Sequence, residues 1–163
     1  MSTNPAVNKA TTVLSEDMDK ATTAFVPVTT NTEPEPTATD AKGETSKGTL
    51  FRLKLLLDGR VIGSLGRDSE YWAKLVSGES ALTLEEINHN GANYLRIYGT
   101  DWYMSVSDRA YVGFYNWSGA TGFTRDRTKL KSNYNGQYLS YDSKENGYLT
   151  CWDSYARLDY AIF

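Results

Sequence analysis

Two short strings hold the side chains best equipped to meet a ligand: "YNW" at residues 115–117 and "WDSY" at residues 152–155. An aromatic ring stacks on the apolar face of a pyranose, while a neighbouring amide or carboxylate accepts hydrogen bonds from its hydroxyls. Tyr115, Asn116 and Trp117 supply that set once, and Trp152, Asp153 and Tyr155 supply it again. The matching stretch nearer the start, Leu75-Val76-Ser77, lacks it. The chemistry these residues suggest is carbohydrate binding at two sites, each weak and dependent on multivalency. The same residues admit a plainer role, in which the rings cap a core and the polar groups close turns.

Catalysis finds less support. The only histidine, His89, stands in "EEINHNGAN", a polar stretch that reads as a linker, with no serine or cysteine partner set by spacing. Glu85, Glu86 and His89 are too few for a metal centre, which needs several ligands converging. There is no phosphate-cradling glycine loop and no nucleophile elbow. Cys151 alternates with apolar residues and reads as a buried small hydrophobe. No enzymatic activity, metal or cofactor is therefore expected. As the only cysteine, Cys151 also excludes a disulfide within the chain.

Charge narrows the partners. Residues 1–48 hold four of the 17 basic and seven of the 20 acidic residues, so residues 49–163 balance to zero. Nucleic-acid binding by phosphate neutralisation needs clustered Lys and Arg. The one local cluster, Arg125, Arg127, Lys129 and Lys131 in "TRDRTKLK", reads as a solvated hairpin. The N-terminus lacks the apolar run of a secretory signal, and no stretch reaches membrane-spanning length. The expected location is cytoplasmic, or exported without a recognisable signal peptide. Asn116-Trp117-Ser118 fits a glycosylation sequon, which this context makes a chance match.

The elements that must carry the ring strings lie in residues 49–163. Residues 1–48 contain all four prolines, eleven threonines and one aromatic residue, Phe25. That composition offers too little apolar surface to offset the entropy of ordering, and predicts a flexible tail. An arm that docks on an assembly partner is the alternative. A faint helical spacing in "LSEDMDKATTAF" is the only local pattern.

Residues 49–163 repeat. With the leucines of "LKLLLDGRVIGSL" (Leu53), "LRIYGTDWYMSV" (Leu95) and "LKSNYNGQYLSY" (Leu130) set level, Ile62, Met104 and Leu139 stand together nine residues on. Gly59, Asp101 and Gly136 stand together as turn-formers. A second segment starts with tyrosine each time, "YWAKL", "YVGFY" and "YLTCW", and a third reads "ALTLEEI", "TGFTRD" and "ARLDYAI". The repeats run over about 50–90, 91–127 and 128–163. Asp58-Gly59 and Asn135-Gly136 between strand-like runs favour type I′ hairpins. The six aligned residues, Leu53, Ile62, Leu95, Met104, Leu130 and Leu139, are the expected core. In "YLTCW" and "YVGFY" the aliphatic and thiol side chains share one face. If that face is interior, Tyr111, Tyr115, Tyr148 and Trp152 point outward or sit at loops.

Short strands, tight turns and threefold spacing, with "QYLSYD" and "GYLTCW", resemble the β-trefoil superfamily and its fascin-like and lectin-like repeats. The resemblance covers residues 49–163 and implies an all-β fold, a six-stranded barrel closed by three hairpins. It also implies a sugar site in each of several copies, although the Gln-x-Trp signature of ricin-type sites is absent. Another small antiparallel barrel or sandwich, such as a βγ-crystallin-like domain, is the alternative fold. Three functions stay open: a glycan-binding module, a protein-binding or self-assembling module whose N-terminal arm docks on neighbours, and the receptor-binding part of a leaderless toxin or effector.

Overall fold

Fourteen short strands follow one another in the computed structural model, which describes residues 25–36 and 49–163. They are β1 (Leu50–Phe51), β2 (Leu53–Leu57), β3 (Arg60–Arg67), β4 (Ala73–Val76), β5 (Leu84–His89), β6 (Ala92–Ile97) and β7 (Tyr103–Val106). Then come β8 (Val112–Tyr115), β9 (Phe123–Asp126), β10 (Lys129–Ser132), β11 (Leu139–Tyr141), β12 (Thr150–Cys151), β13 (Ala156–Arg157) and β14 (Asp159–Ile162). Only single-turn 3-10 helices interrupt them among the described residues. The fold is all-β, as expected, and every strand pair is antiparallel.

One sheet runs β1-β5-β6-β7-β8, with β9 joining β6 to β10; a second runs β12-β11-β13; a third runs β14-β2-β3-β4. Single bridges tie them together. Trp72 bridges Gly113, Tyr111 bridges Thr150, and Tyr148 bridges Lys74. The bridges close a cycle of three, each repeat meeting the next in the same way. Backbone hydrogen bonds follow the cycle: Phe114 N to Tyr71 O (2.9 Å), Cys151 N to Ala110 O (2.8 Å) and Leu75 N to Gly147 O (2.7 Å). The three accepting residues share a left-handed backbone, with φ of 72° at Tyr71, 73° at Ala110 and 93° at Gly147. Two of the three bear a side chain that disfavours this region, so the surrounding pairings must hold them there. Between the bridges Ala73, Val112 and Leu149 are buried at the centre.

Five of the six expected core residues, Leu53, Leu95, Met104, Leu130 and Leu139, are buried; Ile62 is half-buried at the periphery. Strand pairing gives the reason. Leu65, Met104 and Leu139 stand opposite Leu75, Phe114 and Cys151. Leu53, Leu95 and Leu130 stand opposite Ile162, Glu86 and Arg125. The first repeat is thus registered on Leu53 and Leu65: Leu53 keeps its expected place, and Leu65 stands where Ile62 was expected. From Leu53 to Leu65 the first hairpin spans 12 positions, where Leu95 to Met104 and Leu130 to Leu139 span 9, and its extra length includes a register shift between Leu55 and Leu56.

Asp58 and Gly59 have φ of 51° and 82°, as a type I′ turn requires. Asn90 and Gly91 do the same at 53° and 82°. The presumed linker around His89 is therefore a tight hairpin, with His89 paired to Ala92 across β5 and β6. At Asn135-Gly136 only the glycine is left-handed, and a longer loop forms in place of the expected two-residue turn. The basic "TRDRTKLK" stretch is a hairpin of β9 and β10, with Arg125 paired to Glu86 and Lys129 to Asp159.

Residues 25–36 do not leave the domain as a free tail: Pro27 bridges Ser107, and the segment lies along the second repeat. Residues 1–24 and 37–48, including most of the faint helical spacing, lie outside the described residues.

Candidate functional site

The third-repeat string is built into the protein. Trp152 is 2% exposed and packs with Trp72 and Tyr111. Tyr155 meets it edge-on, with ring centres 5.0 Å apart. The half-buried Tyr155 hydroxyl donates to Glu145 Oε2 at 2.7 Å, and Tyr111 donates to Glu145 Oε1 at 2.7 Å. Glu145 is buried, and these two phenols satisfy both its oxygens. Burial, then the bond to Glu145, pushes the Tyr155 hydroxyl pKa up. Asp153 is exposed but engaged: its carboxylate accepts from Tyr138 N (3.1 Å) and Arg157 (3.4 Å), and its own N–H donates to Gln137 (2.9 Å). Trp152, Asp153 and Tyr155 are close in space, yet the first is core, the second closes a loop, and the third caps a buried carboxylate. Tyr111 and Trp152, expected outward under the face assignment, are buried as well.

The second-repeat string sits differently. Asn116 is exposed, and its Oδ1 accepts from Ser118 N (3.0 Å) and Ser118 Oγ (2.5 Å), capping the 3-10 turn Trp117–Gly119. Trp117 is 7% exposed. Tyr94, His89 and Tyr103 meet its ring edge-on at 4.8, 5.3 and 5.4 Å. Its indole N–H donates to the backbone oxygen of Glu33 at 2.8 Å. Tyr115 is half-buried and stacks on Phe25 at 5.8 Å. What covers this string comes from outside the repeats.

That cover is the segment "FVPVTTNTEPEP", residues 25–36. Its backbone pairs with the second repeat: Val28 N to Val106 O (2.9 Å), Asp108 N to Val26 O (2.7 Å) and Asn31 N to Ser118 O (2.8 Å). Its side chains fit by alternation. Phe25 lies between Trp72, at 4.9 Å, and Tyr115. Pro27 rests on Gly119, where an added Cβ would come within 2.6 Å of its ring. Thr29 bonds Thr121 (3.2 Å), and Asn31 donates to the Trp117 and Ala120 oxygens (2.6 and 2.9 Å). Glu33 accepts from His89 (2.7 Å) and Asn90 (2.8 Å), and Glu35 accepts from Tyr103 (2.7 Å). Every odd-numbered residue from 25 to 35 makes a contact in the groove, although Glu33 stays exposed; between them Val26, Thr30, Thr32 and Pro34 are exposed and Val28 packs against the main core.

At the acidic end a polar cleft of about 240 Å³ remains, lined by Thr30, Thr32, Glu33, His89, Asn90 and Tyr94. Burial, then the nearby Glu33 carboxylate, raises the Tyr94 hydroxyl pKa. His89, Asn90, Tyr94, Tyr103, Gly113 and Gly119 are groove residues that the ring strings did not reveal. The residue types gave no signal for them, because the segment that lies on them makes most of its contacts through polar side chains.

Among the described residues no group of three His, Cys, Asp or Glu side chains is placed to hold a metal ion. No helix among them is long and apolar enough to cross a membrane. Compared with known protein families and with curated proteins, the chain matches none.

Proposed function

We propose that residues 49–163 form a β-trefoil whose work is non-enzymatic protein binding, with the second-repeat groove as the working surface. The closed cycle of bridges at Trp72–Gly113, Tyr111–Thr150 and Tyr148–Lys74 supports the trefoil. The seating of residues 25–36 carries the binding reading. An extended segment is added at a strand edge, with main-chain bonds giving affinity and alternate side chains giving selectivity. Phe25 fills an aromatic socket, Asn31 reads two backbone oxygens, and Glu33 and Glu35 meet polar donors.

The test uses the full chain with its own arm weakened by Phe25→Ala and Asn31→Ala. A fluorescent peptide of residues 25–36 should bind this variant saturably, read by anisotropy, and bind the wild-type chain far more weakly. No binding to the variant at millimolar peptide would sink the proposal.

Carbohydrate binding stays as a second reading in a narrower form, because lifting the arm would uncover Tyr115, Trp117 and Tyr94 together. Tryptophan fluorescence of the weakened-arm variant against a panel of sugars tests it. A response in the variant but not in wild type would favour a glycan under the arm.

A further inference from the structure

We infer that the groove's partner is a second copy of this chain, with residues 25–36 exchanged between copies. This rests on the groove reading above and names its occupant. The docking contacts run from residues 25–35 to Trp72, His89, Asn90 and residues 103–121. Nothing in that set distinguishes a chain's own arm from a neighbour's, so the bonds made are the same in either arrangement. The choice falls to the connecting residues 37–48, "TATDAKGETSKG". They hold no aromatic residue, leucine, isoleucine, valine or methionine, and so carry little apolar surface to hold the arm to its own barrel. Fully extended, twelve residues reach at most roughly 40 Å.

Concentration then decides. A short polar tether gives its arm an effective concentration of the order of millimolar. Arms stay at home in dilute solution and exchange as the chain itself approaches that range. Reciprocal exchange closes a twofold pair without leaving an empty groove, which stops growth at the dimer. The exposed carboxylate of Glu33 on His89 and Asn90, and Glu35 on Tyr103, fix the register of an incoming arm.

The Thr29 and Thr121 hydroxyls lie 3.2 Å apart, so cysteines in their places are close enough to join. The native Cys151 is buried and stays out of the reaction. Full-length Thr29→Cys and full-length Thr121→Cys are mixed and oxidised over a series of concentrations. The double variant is oxidised alone and dilute. Exchange predicts a disulfide-linked heterodimer in the mixture that grows with protein concentration, beside ready internal closure of the double variant. If the double variant closes but the mixture stays monomeric up to millimolar chain, exchange is wrong and the groove reading survives. If the double variant also fails to close, the docked register is wrong and both ideas fall.

Discussion

Trp117 in the second repeat and Trp152 in the third are both buried, but different parts of the chain bury them. Trp152 is enclosed by its own domain, among Trp72, Tyr111 and Tyr155, over the buried Glu145. Trp117 owes its last cover to residues 31–33, which lie along the domain instead of within it. The bridge positions show how the difference is encoded. Where the third repeat has Thr150, whose hydroxyl bonds Ser140 at 2.7 Å, the second has Gly113. The missing side chain makes room for Phe25: a Cβ at Gly113 would stand 2.5 Å from its ring. In the first repeat Lys74 takes that place and lies over Tyr148. One architectural position is thus filled by a threonine, a lysine or an arm, and only the arm is a separate segment of the chain laid over the repeats.

The largest effects should fall where the two repeats are alike. Met104 and Leu139 are both buried and occupy the same register, opposite Phe114 and Cys151. Met104→Ala and Leu139→Ala should each cost about 2–5 kcal/mol in a urea melt. If one of the pair melts like wild type, the two repeats are not equivalent and the threefold register is broken.

Next comes Glu145, the carboxylate buried in the third repeat. Glu145→Gln keeps the shape but weakens two charge-assisted bonds from Tyr111 and Tyr155, at about 1–3 kcal/mol. Glu33→Gln, at an exposed carboxylate on the arm, should shift the global melt by less than about 1 kcal/mol. Equal shifts from the two would mean that the arm is as integral as the cap.

This contrast also explains what the sequence disclosed. Leu53, Leu95, Leu130, Met104 and Leu139 were legible because a buried apolar side chain recurs at a level position in each repeat. Ile62 misled because the first hairpin, with its irregularity at Leu55/Leu56, runs 12 positions from Leu53 to Leu65 in place of 9, and an apolar residue happens to stand at the ninth. The ring strings were legible as chemistry but not as exposure. Alternation assigns faces to a sheet, yet says nothing about what another segment lays over one of them. The arm was hidden for a compositional reason. The residues that contact the groove after Pro27, namely Thr29, Asn31, Glu33 and Glu35, are polar, so their two-residue period never registers as hydrophobic alternation.

A smaller and local effect should separate arm from barrel. Gly113→Ala places a methyl against Phe25 and 3.1 Å from the Tyr71 oxygen. The arm can retreat from the first contact, so the strain should be released by undocking. Amide exchange at Val28 and Asn31 should accelerate at least tenfold, about 1.4 kcal/mol of lost local protection. The exchange of Leu149 and Cys151 should hold. If the core amides accelerate with the arm, residues 25–36 and the barrel open as one unit, and the arm cannot exchange on its own.

The gentlest comparison is made with alkali. The Tyr148 hydroxyl donates to Asp68 at 2.9 Å, and burial, followed by that bond, pushes its pKa from 10.0 up to about 12. The folded protein therefore holds this proton more tightly than the unfolded chain does. The stability it lends is complete below pH 10 and drains away as pH climbs toward 12, because only the unfolded chain ionises freely in that window. Tyr148→Phe removes the titrating group, so its melts should decline less steeply than wild type between pH 10 and 12. Tyr94 is shifted in the same direction at the arm groove, where Glu33 repels its ionised form. Its ionisation should first loosen the arm, seen as faster exchange at Val28 and Asn31 while the global melt is still unchanged. Should the arm amides and the global melt respond at the same pH, the cap and the groove titrate as one structure, and the distinction between a built-in ring and a covered one is lost.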